Sequence, residues 1–139
     1  MRFRGHPLHV MLIHFPVALW PAHAALHLFS RQLPAGVPGI AGFWSLVAGT
    51  GLGWLAAGCG AMDLLRLQRE GNARRLTVGL WHALLNGTAL GGFTAILAVE
   101  LPHYPAIAHP PALLGAECGL LLALGAGNFL GGEIVWRKD

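Results

Sequence analysis

Histidine carries most of the chemistry this chain could perform. Eight histidines occur among 139 residues, of which 55% are hydrophobic and only 11% charged. Four of them, His14, His23, His27 and His82, sit inside long apolar runs. Ionisable groups are costly in such surroundings and mark functional positions by default. His14 and His82 each lie about one helical turn into an apolar run. Two imidazoles at equal depth on separate helices suit axial ligation of a haem, or part of a transition-metal site. Asn86 follows His82 by one turn and could hold its other ring nitrogen. His6 and His9, in His6-Pro7-Leu8-His9, are further candidate metal ligands, with a proton path or interfacial capping of the first helix as the alternatives. Asp63 and Glu133 complete a polar layer with His14 and His82.

A second group lies towards the opposite ends of the same runs. His23 and His27 are one turn apart on one helix face, and Glu100 and Glu117 fall near the same edge, as do His103 and His109. This cluster is a candidate second site, ranked below the first. Met11, Cys59, Met62 and Cys118 would suit a soft ion such as copper(I). They have no motif spacing, so the two cysteines read as small buried apolar residues rather than a disulfide or a metal pair. No Gly-rich phosphate loop, HExxH, Gly-x-Ser-x-Gly or CxxCH motif is present, so hydrolytic and nucleotide chemistry have no visible apparatus. The arginines fall in short clusters without interleaved aromatics, which argues against nucleic acid despite a pI near 9.5.

The elements that position these residues are four apolar runs, each long enough to cross a hydrocarbon core as a helix of about 20 residues. They cover residues 10–29, 40–62, 78–99 and 112–132. Between them lie Leu33 to Gly39 with two prolines, the polar segment Arg66 to Thr77, and Leu101 to Pro111 with four prolines. Eight of the nine lysines and arginines fall on one side of this scheme, and only Arg31 on the other. The positive-inside rule then puts both termini and the middle loop in the cytoplasm. Trp81 and Trp136 suit the inner interface, Trp44 and Tyr104 the outer one. A cleaved secretory signal at the N-terminus is the competing reading, and His14 and Pro16 in its apolar core argue against it.

The expected fold is all-α: an integral membrane four-helix bundle. His14 and His82 are 68 positions apart, and Asp63 and Glu133 are 70 apart. The four helices therefore read as two copies of one hairpin around a pseudo-two-fold axis, each entered by a histidine and left by an acid. Pro16 and Pro21 predict a kink in the first helix. Glycines spaced by four (Gly49 and Gly53, Gly87 and Gly91, Gly115 and Gly119, Gly127 and Gly131) allow helices to approach closely. Those faces serve either the bundle itself or a second protomer or partner subunit.

The stretch Gly5-His6-Pro7-Leu8-His9-Val10-Met11-Leu12-Ile13-His14-Phe15-Pro16 resembles the N-terminal signature of an uncharacterised bacterial membrane family, domain of unknown function 2231. The Gly-rich second helix, the His82 and Asn86 pair, and Gly131-Gly132 are similar to it as well. The chain departs at Val10, where the family usually has proline, and at His27, where an aspartate often stands. The resemblance covers nearly the whole chain. It implies a four-helix, multi-pass fold in the bacterial cytoplasmic (inner) membrane, and relatives joined to c-type cytochrome domains imply redox company. The leading expectation is a b-type haem protein passing electrons, with His14 and His82 as axial ligands. The alternatives are a metal-ion or proton transporter, and a non-catalytic subunit or assembly factor of a redox membrane complex that needs no cofactor.

Overall fold

A computed structural model of the chain describes residues 2–3, 6–106 and 109–136, with the side chains of 8–30, 32–106 and 109–133. After a two-residue antiparallel pairing of Arg2–Phe3 with His6–Pro7, four helices follow: α1 (Leu8–Leu28), α2 (Phe43–Glu70), α3 (Ala73–Glu100) and α4 (Pro111–Trp136). All four are long and apolar enough to cross a membrane. Their outward surface is apolar too, with Leu122 and Phe129 exposed by 76% and 71%. Water would penalise such a belt and lipid does not. One end of the bundle carries the α1–α2 and α3–α4 connections (the connection end). The other carries the chain termini and the α2–α3 turn (the terminal end).

The polar segment expected between the second and third spans is almost entirely helical. α2 continues to Glu70 and α3 begins at Ala73, so the reversal takes two residues. Gly71 supplies the left-handed conformation, φ 73°, that ends α2. Asn72 then caps α3 by accepting a hydrogen bond from the Arg75 N–H at 3.0 Å. Asp63 therefore stands inside α2, two turns before its end. Pro16 and Pro21 lie within α1, which is helical from residue 8 to residue 28.

α1 packs along α2, α3 along α4, and α2 against α3 joins the two hairpins. The pseudo-two-fold relation is present, in a register different from the expected one. His9 lays its ring on Gly60, and its Nδ1 meets the Ala56 carbonyl at 2.8 Å. His82 lays its ring on Gly131, and its Nδ1 meets the Gly127 carbonyl at 2.7 Å. The matching positions are thus 73 apart in α1 and α3, and 71 apart in α2 and α4. His82 corresponds to His9 and not to His14. The reason is helix facing: His14 is on the exposed side of α1, where its Nδ1 lies 2.6 Å from the Val10 carbonyl one turn earlier.

The same register explains the core. Trp20 and Phe93, 73 positions apart, stack across the bundle at 4.5 Å between centroids and 12° between planes. Around them lie Leu46, Ala89, Leu90, Ile96 and Leu124. A side chain on Gly49 would run into the Trp20 ring and Leu19 Cβ, and one on Gly92 into Leu120. Each hairpin therefore uses one leucine against one glycine, with the roles exchanged. The Trp20 indole N–H donates to Thr50 Oγ1 at 3.3 Å, which satisfies its one polar atom in the core.

The glycine pairs divide between the two uses expected of them. Gly49, Gly53, Gly127 and Gly131 face neighbouring side chains of the bundle. Gly87, Gly91, Gly115 and Gly119 face outward, and a Cβ on any of them would meet no atom within 4 Å. Cys118, Met11 and Met62 also face outward, and Cys59 is half-buried. Cys118 is thus not the buried packing group expected of it, because its helix face is exposed, whereas Cys59 is packed on one side. Both are free thiols.

Replacing Trp20 by alanine removes the stack and leaves a cavity at the bundle centre. A loss of about 3 kcal/mol or more is expected, read as reversible unfolding in mixed micelles. The exposed Trp81→Ala, by contrast, should change stability by less than about 0.5 kcal/mol. Equal losses for the two would contradict the central role of the Trp20–Phe93 contact.

Candidate metal centre

Five titratable side chains converge at the connection end. His23 and His27 come from the last two turns of α1, Glu100 from the last residue of α3, His109 from the α3–α4 connection and Glu117 from the second turn of α4. They meet because α1 and α3 both end there and α4 begins there. The side chains of His23, Glu100 and Glu117 are 0%, 1% and 0% exposed, and that of His109 is 5% exposed. His27 and Glu100 are 73 positions apart, so they occupy matching places in the repeat. The places matching His23 and Glu117 hold the buried apolar residues Ile96 and Leu46.

His23 Nδ1 lies 3.0 Å from the Gly42 carbonyl, and its Nε2 lies 2.8 Å from Glu117 Oε1. The carbonyl can only accept, so Nδ1 carries a proton and Nε2 is the atom turned to the cluster. A hydrogen-bonded far nitrogen is the arrangement metal-ligating histidines use to hold tautomer and ring angle. Glycine is needed at 42, since a Cβ there would fall 2.8 Å from His27 Nε2. His109 Nδ1 lies 3.0 Å from Glu100 Oε1. Its Nε2 is 3.2 Å from Glu117 Oε2 without the alignment of a hydrogen bond. The rings of His27 and His109 stack at 4.0 Å and 18°.

Ligand atoms of His23, His27, Glu100 and His109 all lie within 4.8 Å of one another. His27 Nε2, Glu100 Oε2 and Glu117 Oε2 are buried without hydrogen-bond partners. Buried lone pairs without donors are costly, and a cation among them removes that cost. The donors are imidazole nitrogen and carboxylate oxygen, with no sulfur. Such a set suits zinc, iron(II) or manganese(II) rather than copper(I). Bonds of about 2.0–2.1 Å would bring neighbouring ligand atoms to roughly 3–4 Å from one another, so an ion would contract the cluster slightly.

The residues ranked first in the sequence do not assemble this way. His14 is exposed on α1 and hydrogen-bonded within its own helix. His82 faces His9 instead, at 5.9 Å between ring centroids. Asn86 is beside His82, its Nδ2 3.2 Å from His82 Nδ1 and donating to the His82 carbonyl at 2.9 Å. The His82 Nδ1 bond to Gly127, at 2.7 Å, is the shorter contact. Asp63 and Glu133 are half-buried near the terminal end. The side chain of His6, and residues 137–139 with two of the charges used for orientation, lie outside the described residues. His103 is exposed and turned back to the Val99 carbonyl at 2.9 Å, apart from the cluster. In the sequence His23, His27, Glu100 and Glu117 group at one membrane edge, and His109 falls only near it. The available signal is that two of the chain's six acids stand in apolar surroundings at the same edge as three histidines.

Residues 5–139 match the family model described as predicted membrane protein, domain of unknown function 2231. No curated protein and no solved structure matches the chain.

Burial by itself would lower the pKa of His109. The hydrogen bond to Glu100, the close contact with Glu117 and the negative charges of both outweigh that and raise it from 6.5 to about 9. A histidine whose folded pKa exceeds its unfolded one stabilises the fold fully below the unfolded value, and the contribution is lost as pH rises through the folded value. In chelator-treated protein, His109→Gln should therefore lower the melting temperature most below pH 6.5. The difference from wild type should shrink above that and vanish beyond pH 9. A difference that stays constant from about pH 6 to about pH 10 would contradict this role for His109.

Proposed function

The chain belongs to the membrane-protein family of domain of unknown function 2231, and from that premise we propose that it is a membrane-embedded metal-binding protein, holding one divalent transition-metal ion at the connection end. The observation that carries this reading is the convergence of His23, His27, Glu100 and His109 ligand atoms within 4.8 Å. The unpartnered buried atoms of His27, Glu100 and Glu117 support it. By the charge bias of the sequence, this end faces away from the cytoplasm in a bacterial cytoplasmic membrane. Iron or manganese in the site would supply redox chemistry, in line with the redox company the family resemblance implies. Zinc would supply Lewis acidity.

Two other readings have less support. A haem held by His14 and His82 requires two rings facing one iron, and His14 is instead exposed and bonded to its own helix. A conduit for protons or metal ions requires a continuous polar path. Between His9 and His82 at one end and the cluster at the other stand Trp20, Leu46, Phe93 and Leu124. That layer favours a bound centre over a transport route.

The test is zinc titration of chelator-stripped protein in detergent, followed by calorimetry. One zinc per chain is expected. Glu100→Gln, which is nearly isosteric, and His23→Ala should each weaken binding by roughly 100-fold or more, beyond the 10–100-fold typical of outer partners. His14→Ala should bind as wild type. Folded protein that takes up no zinc saturably, or binds equally well with either cluster substitution, would overturn the reading.

A further inference from the structure

Two different walls enclose the cluster, whose unpartnered atoms on His27, Glu100, His109 and Glu117 are all buried. His23, Glu100 and Glu117 close it towards the bundle core, with side chains at most 1% exposed. On the other side a cleft of about 300 Å³ opens between the α1–α2 and α3–α4 connections, and His27 and His109 form part of its lining. Among the described residues the remaining lining is proline, glycine and alanine, with Ser30 as the one hydroxyl. Gly36, in the left-handed region at φ 85°, turns the α1–α2 connection so that it forms one wall.

The stacked pair decides how cleft and cluster communicate. Two nearly parallel rings 4.0 Å apart send their lone pairs side by side, not towards one point. Both can ligate one ion only if a ring tilts. His27 is fixed in α1, whereas His109 precedes α4 and is held by no helix. His109 is therefore the ring whose backbone leaves room to tilt, giving up its 3.0 Å contact with Glu100 Oε1. Such a tilt would part the stack on the cleft side and open the coordination sphere there. Sites whose protein ligands surround the ion are closed and structural, whereas sites that keep one position free bind and activate small molecules.

Resting on the metal-binding reading, we propose that the bound ion keeps one exchangeable coordination position facing this cleft, and that a small, uncharged or singly charged ligand from the aqueous phase binds it through one donor atom. The cleft's volume corresponds to roughly ten waters at about 30 Å³ each. Among the described residues its lining contains no lysine, arginine, aspartate or glutamate to hold a charged tail. Both features select a compact ligand over a nucleotide, a lipid headgroup or a large cofactor.

Cobalt(II) in place of the native ion makes the position visible, and azide serves as the probe. The full chain in detergent is loaded with cobalt and titrated with azide while the visible d–d bands are followed. Saturating spectral change at one azide per cobalt is expected. The change should be lost in Ala106→Trp, which fills the cleft from its wall without removing a ligand, when that variant carries the same cobalt. Cobalt that loads into wild type but ignores azide overturns the exchangeable position and leaves the metal site standing. An azide response in cobalt-loaded Ala106→Trp equal to wild type overturns the cleft as its route. Folded protein that takes up no cobalt and no zinc removes the metal reading, and this inference with it.

Discussion

The stack of Trp20 on Phe93 is the contact on which the rest of the architecture depends. It joins α1 to α3, which are diagonal in the bundle and touch little elsewhere. In lipid there is no hydrophobic drive between helices, so association rests on close packing and a few hydrogen bonds. Two large flat rings lying against each other supply many dispersion contacts at once. Because the rings occupy matching positions of the two hairpins, the same contact sets the register of the repeat. Once Trp20 meets Phe93, His9 meets His82 at one end and His27 reaches Glu100 at the other.

That stack also divides the molecule. The layer of Trp20, Leu46, Leu90, Phe93 and Leu124 is apolar and buried. The histidines at the two ends are thereby kept in separate environments. At the terminal end, His9 and His82 each find a backbone carbonyl on the neighbouring helix, and symmetry satisfies them alike. At the connection end symmetry is broken: His23 and Glu117 stand where the other hairpin has Ile96 and Leu46. The polar residues there are concentrated on one side of the axis, and two carboxylates are buried among three imidazoles. Carboxylates in such a place need counter-charge. The His109 imidazole, its pKa raised by these carboxylates, supplies part of it, and a divalent cation would supply it with more donors satisfied.

The sequence by itself determined the four spans and the all-α class. Those follow from runs of about 20 apolar residues, and local composition decides them. It also carried the repeat, since His82 has a counterpart in α1. Spacing alone pairs His82 with His14, because spacing along a helix gives depth but not facing. Five residues separate His9 from His14, enough to turn one ring towards α2 and the other towards lipid. The Arg66–Thr77 segment reads as a loop for a related reason. Polarity marks where helices leave an apolar environment, but Gly71 and Asn72 alone decide where the backbone turns.

Only the tertiary structure decided which histidines work together. His23 and Glu117 are 94 positions apart, and His109 stands outside the helices, in a connection whose path no periodicity describes. Their meeting depends on where α1 and α3 end, on how α4 starts, and on Gly42 leaving room for His27. These are distances between elements, and no local pattern encodes them. Histidine number and apolar setting made a site legible in the sequence. Among the described residues, packing brings three imidazoles and two carboxylates together at the connection end, with several of their atoms left without a hydrogen-bond partner.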